Sequence, residues 1–408
     1  FYDDAINLLN MDKRNYPMVD YYKAYYSYKA NKEYNLYLEK AFNDNPYCCF
    51  PNRIEDITVL EFAMRNNKKD FKAPYYLGNL YYDKERHDEA IECFERSIAL
   101  GCDFATPYRN LSLLYYNVKN NSLKALELLE TAYAMDKTDA RVLYELDLLK
   151  KRIGVSPNER LEFLEQHFDI VSTRDDLYLE YITLLNLTKS YDKALKLIMA
   201  HKFHPWEGGE GKVPEQYLFS NIALALEKQD IKYLLSTFEY PHNLGEGKLY
   251  GAQENRQNYY LGCAYEKQGK FDLAKDCFTK ASSGISEPAS AMYYNDQPPE
   301  TIFYQGLALL KLGDIESANN RFNKLISYAD HHIDDNVTID YFAVSLPDLL
   351  VFEEDLNKKN KLHCLFMKAL GLYGLNKKEK SKALFEQALA ENCNTFQIVT
   401  HYQLLFRQ

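Results

Sequence analysis

The feature that most restricts what this chain can become is a segment it repeats. Residues 76–98 read YLGNLYYDKERHDEAIECFERSI, and residues 260–282 read YLGCAYEKQGKFDLAKDCFTKAS. In register, Leu77 matches Leu261, Gly78 matches Gly262 and Tyr81 matches Tyr265, while Ala90, Cys93 and Phe94 match Ala274, Cys277 and Phe278. Six coincidences in one frame mark an internal repeat. The 408 residues exceed what one compact core usually organises, so an elongated repeat architecture or several domains is expected.

The frame resembles the tetratricopeptide repeat, a helix–turn–helix unit of about 34 residues. The resemblance implies that Gly78 and Gly262 let the two helices of a unit approach. It also implies that Ala90 and Ala274 sit at the crossing and that Phe94 and Phe278 fill the gap to the next unit. Further copies follow with drift. Gly306, Gly313, Ala318 and Phe322 keep the register, as do Ala369, Asn376, Ser381, Phe385 and Ala388. Residues 108–132 fit with one extra residue in the turn, and 21–42 and 178–200 are weaker copies. Gly269, Gly313 and Asn376 fall at the inter-helix turn, where a left-handed residue is needed. A helix pair cannot bury both its apolar faces alone, so stacked pairs share one core. The expected fold is therefore all-α, a right-handed superhelical solenoid of tetratricopeptide-like helix pairs. Its expected parts are N-terminal repeats over 1–173, central repeats over 174–282 and C-terminal repeats with insertions over 283–408, in one continuous stack. The insertions are SGISEPASAMYYNDQPPE (283–300) and DYFAVSLPDLLVF (340–352).

Bulk properties narrow the partners. The formal charge of -10 disfavours nucleic acid and anionic membrane. No apolar run approaches a membrane span. The eight cysteines contain no Cys-x-x-Cys, so neither a zinc site nor a disulfide framework is indicated, and a reducing, cytoplasmic setting is expected. The chain starts at Phe1 and reads as a piece of something longer.

HPWEGGEGKV (204–213) carries the single Trp, and YPHNLGEGKL (240–249) repeats its core, with Pro205 matching Pro241 and Lys212 matching Lys248. A phosphate-binding loop needs a leading Gly, a Ser/Thr after the Lys and a preceding strand, and both copies lack them. Two readings stay open. The glycines supply a left-handed lead-in to the next helix. Alternatively the two loops lie on one edge of adjacent units and form a site, with Trp206 at its rim stacking on a sugar, Glu207 and Glu210 accepting hydroxyl hydrogen bonds, and Lys212 and Lys248 flanking the surface that carries Glu210 and Glu246.

These motifs, with NRQNYYLGCAYEKQGK, YYNDQPPETIFYQGLALLKLG, DYFAVSLPDLL, FPNRIED, KAPYYLGNLYYD, TPYRNL and RDDLYLEY, resemble the C-terminal half of a bacterial family of unknown function. Its members join an N-terminal β-sandwich similar to galactose-mutarotase-type domains to a tetratricopeptide array. The resemblance spans essentially all 408 residues and implies a bacterial origin, an absent sandwich half and a loose link to carbohydrate metabolism. It brings no catalytic residue.

The first helix of each pair is expected to line the binding face. Tyr75, Asn79, Tyr82, Arg109, Tyr116, Asn117, Arg256, Tyr259 and Glu266 fall there, a set suited to a polar ligand, although tyrosines at such positions also serve as interhelical packing. His331, His332, Asp334 and Asp335 lack the spacing of a known metal site, and carboxylate pairs such as Glu207/Glu210 are common without catalysis. The expectation is a non-catalytic binding scaffold without cofactor or metal. Its partner would be its own N-terminal half, a second copy or another protein. The alternative is an array that completes a carbohydrate site.

Overall fold

The computed structural model describes residues 1–204, 211–238, 254–290, 297–338 and 351–406, and every regular element among them is a helix. The chain forms two compact units, Phe1–Leu146 and Asp147–Gln408. Unit 1 contains α1 (Tyr2–Leu9), α2 (Pro17–Lys29), α3 (Asn35–Asn43), α4 (Ile54–Asn66), α5 (Lys72–Asp83), α6 (His87–Ala99), α7 (Thr106–Asn117) and α8 (Ser122–Met135), and the boundary falls inside α9 (Ala140–Arg152). Unit 2 continues with α10 (Pro157–Glu165), α11 (Phe168–Val171), α12 (Asp175–Leu187), α13 (Tyr191–Ala200), α14 (Lys212–Lys228), α15 (Lys232–Ser236) and α16 (Asn255–Lys267). It ends with α17 (Phe271–Ala281), α18 (Pro299–Leu312), α19 (Ile315–His332), α20 (Leu356–Gly374), α21 (Lys378–Glu391) and α22 (Phe396–Leu405). Each unit is built from antiparallel helix pairs, among them α5/α6, α7/α8, α16/α17, α18/α19 and α20/α21.

The repeat frame has a direct physical cause. A Cβ placed on Gly78 would lie 2.8 Å from Phe94, one on Gly262 2.6 Å from Phe278, and one on Gly306 2.4 Å from Phe322. In all three pairs one edge of the second helix's aromatic ring, Cδ1, Cε1 and Cζ, lies against the bare backbone of the first. Ala90, Ala274 and Ala318, twelve residues after each glycine, are buried at the crossing. Serines vary the theme. Ser112 donates to the carbonyl of Ala125 at 2.7 Å, and Ser381 donates to that of Ala369 at 2.7 Å, so a hydroxyl at the crossing is satisfied across the pair. The turns repeat too. Gly269 and Gly313 adopt φ of +73° and +85°, and Asn376, Asn120, Glu85 and Lys189 adopt +58°, +51°, +58° and +65° at equivalent positions. A left-handed residue ends the first helix in each pair, with glycine or asparagine where the sequence permits.

Unit 2 closes on itself through a buried charged cluster. Arg160, without exposed surface, donates to Asp147 at 2.5 and 3.0 Å, to Glu180 at 2.7 Å and to the side-chain oxygen of Asn394 at 2.7 Å. Asn394 in turn donates to the carbonyl of Val155. Within the same unit, Gln403 of α22 donates to the carbonyl of Leu187 at 2.7 Å and accepts from the Tyr191 hydroxyl at 3.0 Å.

Candidate functional site

In unit 1 the first helices of successive pairs carry a connected polar run. The amide nitrogen of Asn110 on α7 donates to the side-chain oxygen of Asn79 on α5 at 2.9 Å. Arg109 donates to Asn110 at 3.1 Å and makes a two-pronged pair with Glu145 on α9 at 2.5 and 2.6 Å. Arg141 also donates to Glu145 at 3.0 Å, so two guanidinium groups share one carboxylate. The side chain of Arg109 is 18% exposed and that of Glu145 only 2%, so the guanidinium keeps some contact with solvent while its carboxylate partner is buried. Such a face presents a fixed charge, backed by oriented amides, to a ligand lying across the helices.

Tyr75, placed on this face by the sequence, is buried instead. Its ring lies among Tyr76, Phe94 and Phe104, and burial raises its phenol pKa. Tyr82 is half-buried with its ring 5.9 Å from His87.

In unit 2, Arg256 on α16 is buried and donates to both carboxylate oxygens of Glu215 on α14, at 2.6 and 2.7 Å. Burial opposes its charge, and the Glu215 carboxylate more than offsets this and keeps the guanidinium protonated. Tyr259 packs its ring on Tyr260, Phe278 and Tyr304. Around Arg256 stand groups that the sequence did not single out. Glu300 on α18 is pushed up to about 7, by burial first and then by Glu215 against the pull of Arg256. His401 on α22 has no exposed surface and is held down to about 3 by burial, with the charge of Arg256 adding to it. The hydroxyls of Tyr260 and Tyr304 lie 3.2 Å apart. Three buried atoms of this cluster have no hydrogen-bond partner: Arg256 Nη1, Glu300 Oε2 and His401 Nε2. Glu145 also escaped the sequence reading, because residues 140–152 carry no repeat frame. Its 36-residue offset from Arg109 was the available signal.

Trp206, Glu207, Glu210, Glu246 and Lys248 lie outside the described residues, and with them the paired-loop arrangement. Lys212 is the first residue of α14, and Gly211 before it has φ of +71°, so this glycine provides a left-handed lead-in to the helix. His331 and His332 point to different partners: Nδ1 of His331 is 2.6 Å from the carbonyl of Ser327, and Nδ1 of His332 is 2.7 Å from Asp335. Among the described residues no cluster of three metal-ligating side chains occurs, and no helix is long and apolar enough to cross a membrane.

Sequence profiles of the tetratricopeptide repeat match residues 78–118, 258–283 and 300–330, so the chain contains tetratricopeptide repeats. These matches cover α5–α7, α16/α17 and α18/α19, the pairs in which glycine meets phenylalanine. Among solved structures the chain is similar to a structure of Naa15/Naa10 bound to HypK-THB, with 11% identity and a TM-score of 0.40 over 95% of this chain, and it spans 66% of the length of that chain. It is also similar to YrrB, a TPR protein with an unusual peptide-binding site, with 16% identity and a TM-score of 0.31 over 54% of this chain and 90% of that one.

Proposed function

We propose that the chain is a protein-binding scaffold and that the first-helix face of unit 1 receives a polar segment of a partner protein. The observation that carries this reading is the run Asn79–Asn110–Arg109–Glu145, in which three helices hold amides and a guanidinium in one connected row. An asparagine amide offers the donor and acceptor that a peptide bond requires, and a guanidinium can take a carboxylate. The partner is an N-terminal half of the kind the family resemblance implies, a second copy or another protein; the resemblance supports a bacterial setting and the cysteine usage a reducing, cytoplasmic one.

The test is selection of random displayed peptides on the intact chain, followed by anisotropy titration of the selected peptides against wild type, Asn110→Ala and Arg109→Ala. Loss of one such polar contact costs about 1.4 kcal/mol, a tenfold loss of affinity. Weakening of that size with an unchanged fold supports the face. Equal affinity for all three proteins removes it. The carbohydrate reading draws its support from the twin Gly-Glu-Gly-Lys motifs and the single Trp. Saturable quenching of Trp206 fluorescence by an oligosaccharide, lost in Lys212→Ala with Lys248→Ala, is its test.

A further inference from the structure

We propose that the first-helix face of unit 2 is a receptor groove for an amphipathic helix, and that α22 is its resident occupant, held in cis. The inference goes beyond the reading of unit 1 and stands or falls without it, because it concerns the other unit and a different occupant.

Contacts define the seat. Phe396 of α22 meets Phe219 of α14 edge-on at 5.4 Å, His401 lies 5.9 Å from the ring of Tyr304 on α18 and 5.3 Å from that of Phe366 on α20, and Gln403 holds the end of α12. Residues of four first helices thus touch this one segment, which comes from more than 200 positions further along the chain than Leu187, and Arg256 of α16 lies near enough for its charge to act on His401. Ile398, Thr400 and Leu404 complete its buried surface in the groove, and at its edge Tyr402 and Phe406 pack on Phe385 of α21 while the Tyr402 hydroxyl donates to Glu386 at 3.1 Å.

The fit is uneven. At its flanks α22 is matched by aromatic rings and by the two hydrogen bonds of Gln403. At its centre the rings of Tyr304 and Phe366 meet His401, but the polar groups there are not matched. His401 Nδ1 faces the carbonyl of Gln397 at 2.8 Å, which makes Nδ1 the donor and leaves Nε2 an acceptor, and that acceptor is unpartnered. Arg256 Nη1, whose charge acts on His401, and Glu300 Oε2, whose carboxyl feels Arg256, are likewise buried without partners. Buried groups of this kind are normally paired, and a dedicated closing helix would pair them. A groove with unspent donors and acceptors under its occupant suits a different helix better. The partner that fits keeps the aromatic residue of position 396, the apolar residues of 398 and 404 and the glutamine of 403, and carries a carboxamide in place of the imidazole. A carboxamide supplies the donor and acceptor together.

The test uses the full chain and a labelled synthetic peptide of residues Thr395–Phe406. Wild type is compared with a variant that loosens only the flanks of α22, Phe396→Ala with Gln403→Ala. At least tenfold tighter peptide binding by the variant, with faster hydrogen exchange confined to α22, supports the groove. A peptide with Gln at position 401 is expected to bind better than the natural sequence. No binding to either protein, equal binding to both, or exchange that accelerates across α12–α20 as well makes α22 an integral part of the fold and overturns the proposal. If the variant fails to fold, wild-type exchange decides. Exchange in α22 at least tenfold faster than in α18 upholds a displaceable occupant, and equal protection refutes it.

Discussion

A leucine at position 262 has no space in the α16/α17 pair. A Cβ there lies 2.6 Å from Cε1 and 2.8 Å from Cδ1 of Phe278, whereas carbon atoms in contact prefer about 3.5–4.0 Å. Either the ring or the helix must yield by about 1 Å. The ring is 3% exposed and lies against Tyr259, so it cannot turn out to solvent without opening the core. Overpacking of this kind costs about 1–3 kcal/mol. Removing a glycine from a helix interior returns about 1 kcal/mol. Gly262→Ala, which adds one atom, is therefore expected to lie between neutral and about 2 kcal/mol destabilising. Gly262→Leu drives three further carbons into the same slot and is expected to cost about 2 kcal/mol or more. For a unit of this size that lowers Tm by about 4–8 °C. Urea and thermal unfolding followed by far-UV circular dichroism read the change. Phe278→Ala supplies the control. It empties the slot, so the double variant should be at least about 1 kcal/mol less destabilised than the sum of the single variants. An unchanged Tm for Gly262→Leu, or strictly additive losses, would show that Gly262 and Phe278 do not meet and that the repeat frame is misplaced.

Arg160→Met strands the buried Asp147 carboxylate and removes the link to Asn394. It is expected to destabilise unit 2 by about 3–5 kcal/mol in urea unfolding, and a loss below 1 kcal/mol contradicts the buried cluster. Glu85→Gly relieves a left-handed non-glycine residue at the α5/α6 turn and is expected to raise stability by about 0.5–1 kcal/mol. The pH profile has two arms. His401 is neutral when folded, with its pKa down at about 3 against an ordinary 6.5, so its contribution is complete above 6.5 and is lost as the unfolded chain takes up a proton between pH 6.5 and 3, at up to about 1.4 kcal/mol per pH unit. Glu300, raised from 4.5 to about 7, acts in the opposite sense. Its contribution is complete below pH 4.5 and is lost as pH rises towards 7, so Glu300→Gln should stabilise the chain at pH 8 and His401→Gln should flatten the acid arm. Denaturant midpoints across pH 4–8 for the three proteins check both signs.

What the sequence made legible is what repeats locally. Gly78 with Phe94, and Gly262 with Phe278, are separated by one helix pair, and the left-handed turn falls between them, so spacing gives the helices and the turn; the frame assigned both phenylalanines to the gap before the next unit, whereas their rings sit on the glycines of their own pair. Contacts that leave this spacing were invisible. Arg160 meets Asn394 across 234 positions, and nothing in either neighbourhood records the other. The proposed binding face was half legible for a related reason. A position on the first helix can be read from the frame, but whether a side chain turns to the face or to the neighbouring pair depends on what it meets. Asn79 and Arg109 meet polar partners and stay on the face, whereas Tyr75 meets Phe104 and Tyr76 and turns inward. Arg256 shows a third case, correctly placed on a first helix but buried, because Glu215 is there to receive it.

The central claim is that unit 1 binds a partner through its first helices. Hydrogen exchange on the full chain with and without a display-selected peptide tests it most directly. The account predicts slowed exchange in α5, α7 and residues 140–146 of α9, with α6 and α8 unaffected. Protection concentrated in α6 and α8, or none in unit 1 while the peptide is bound, would contradict it.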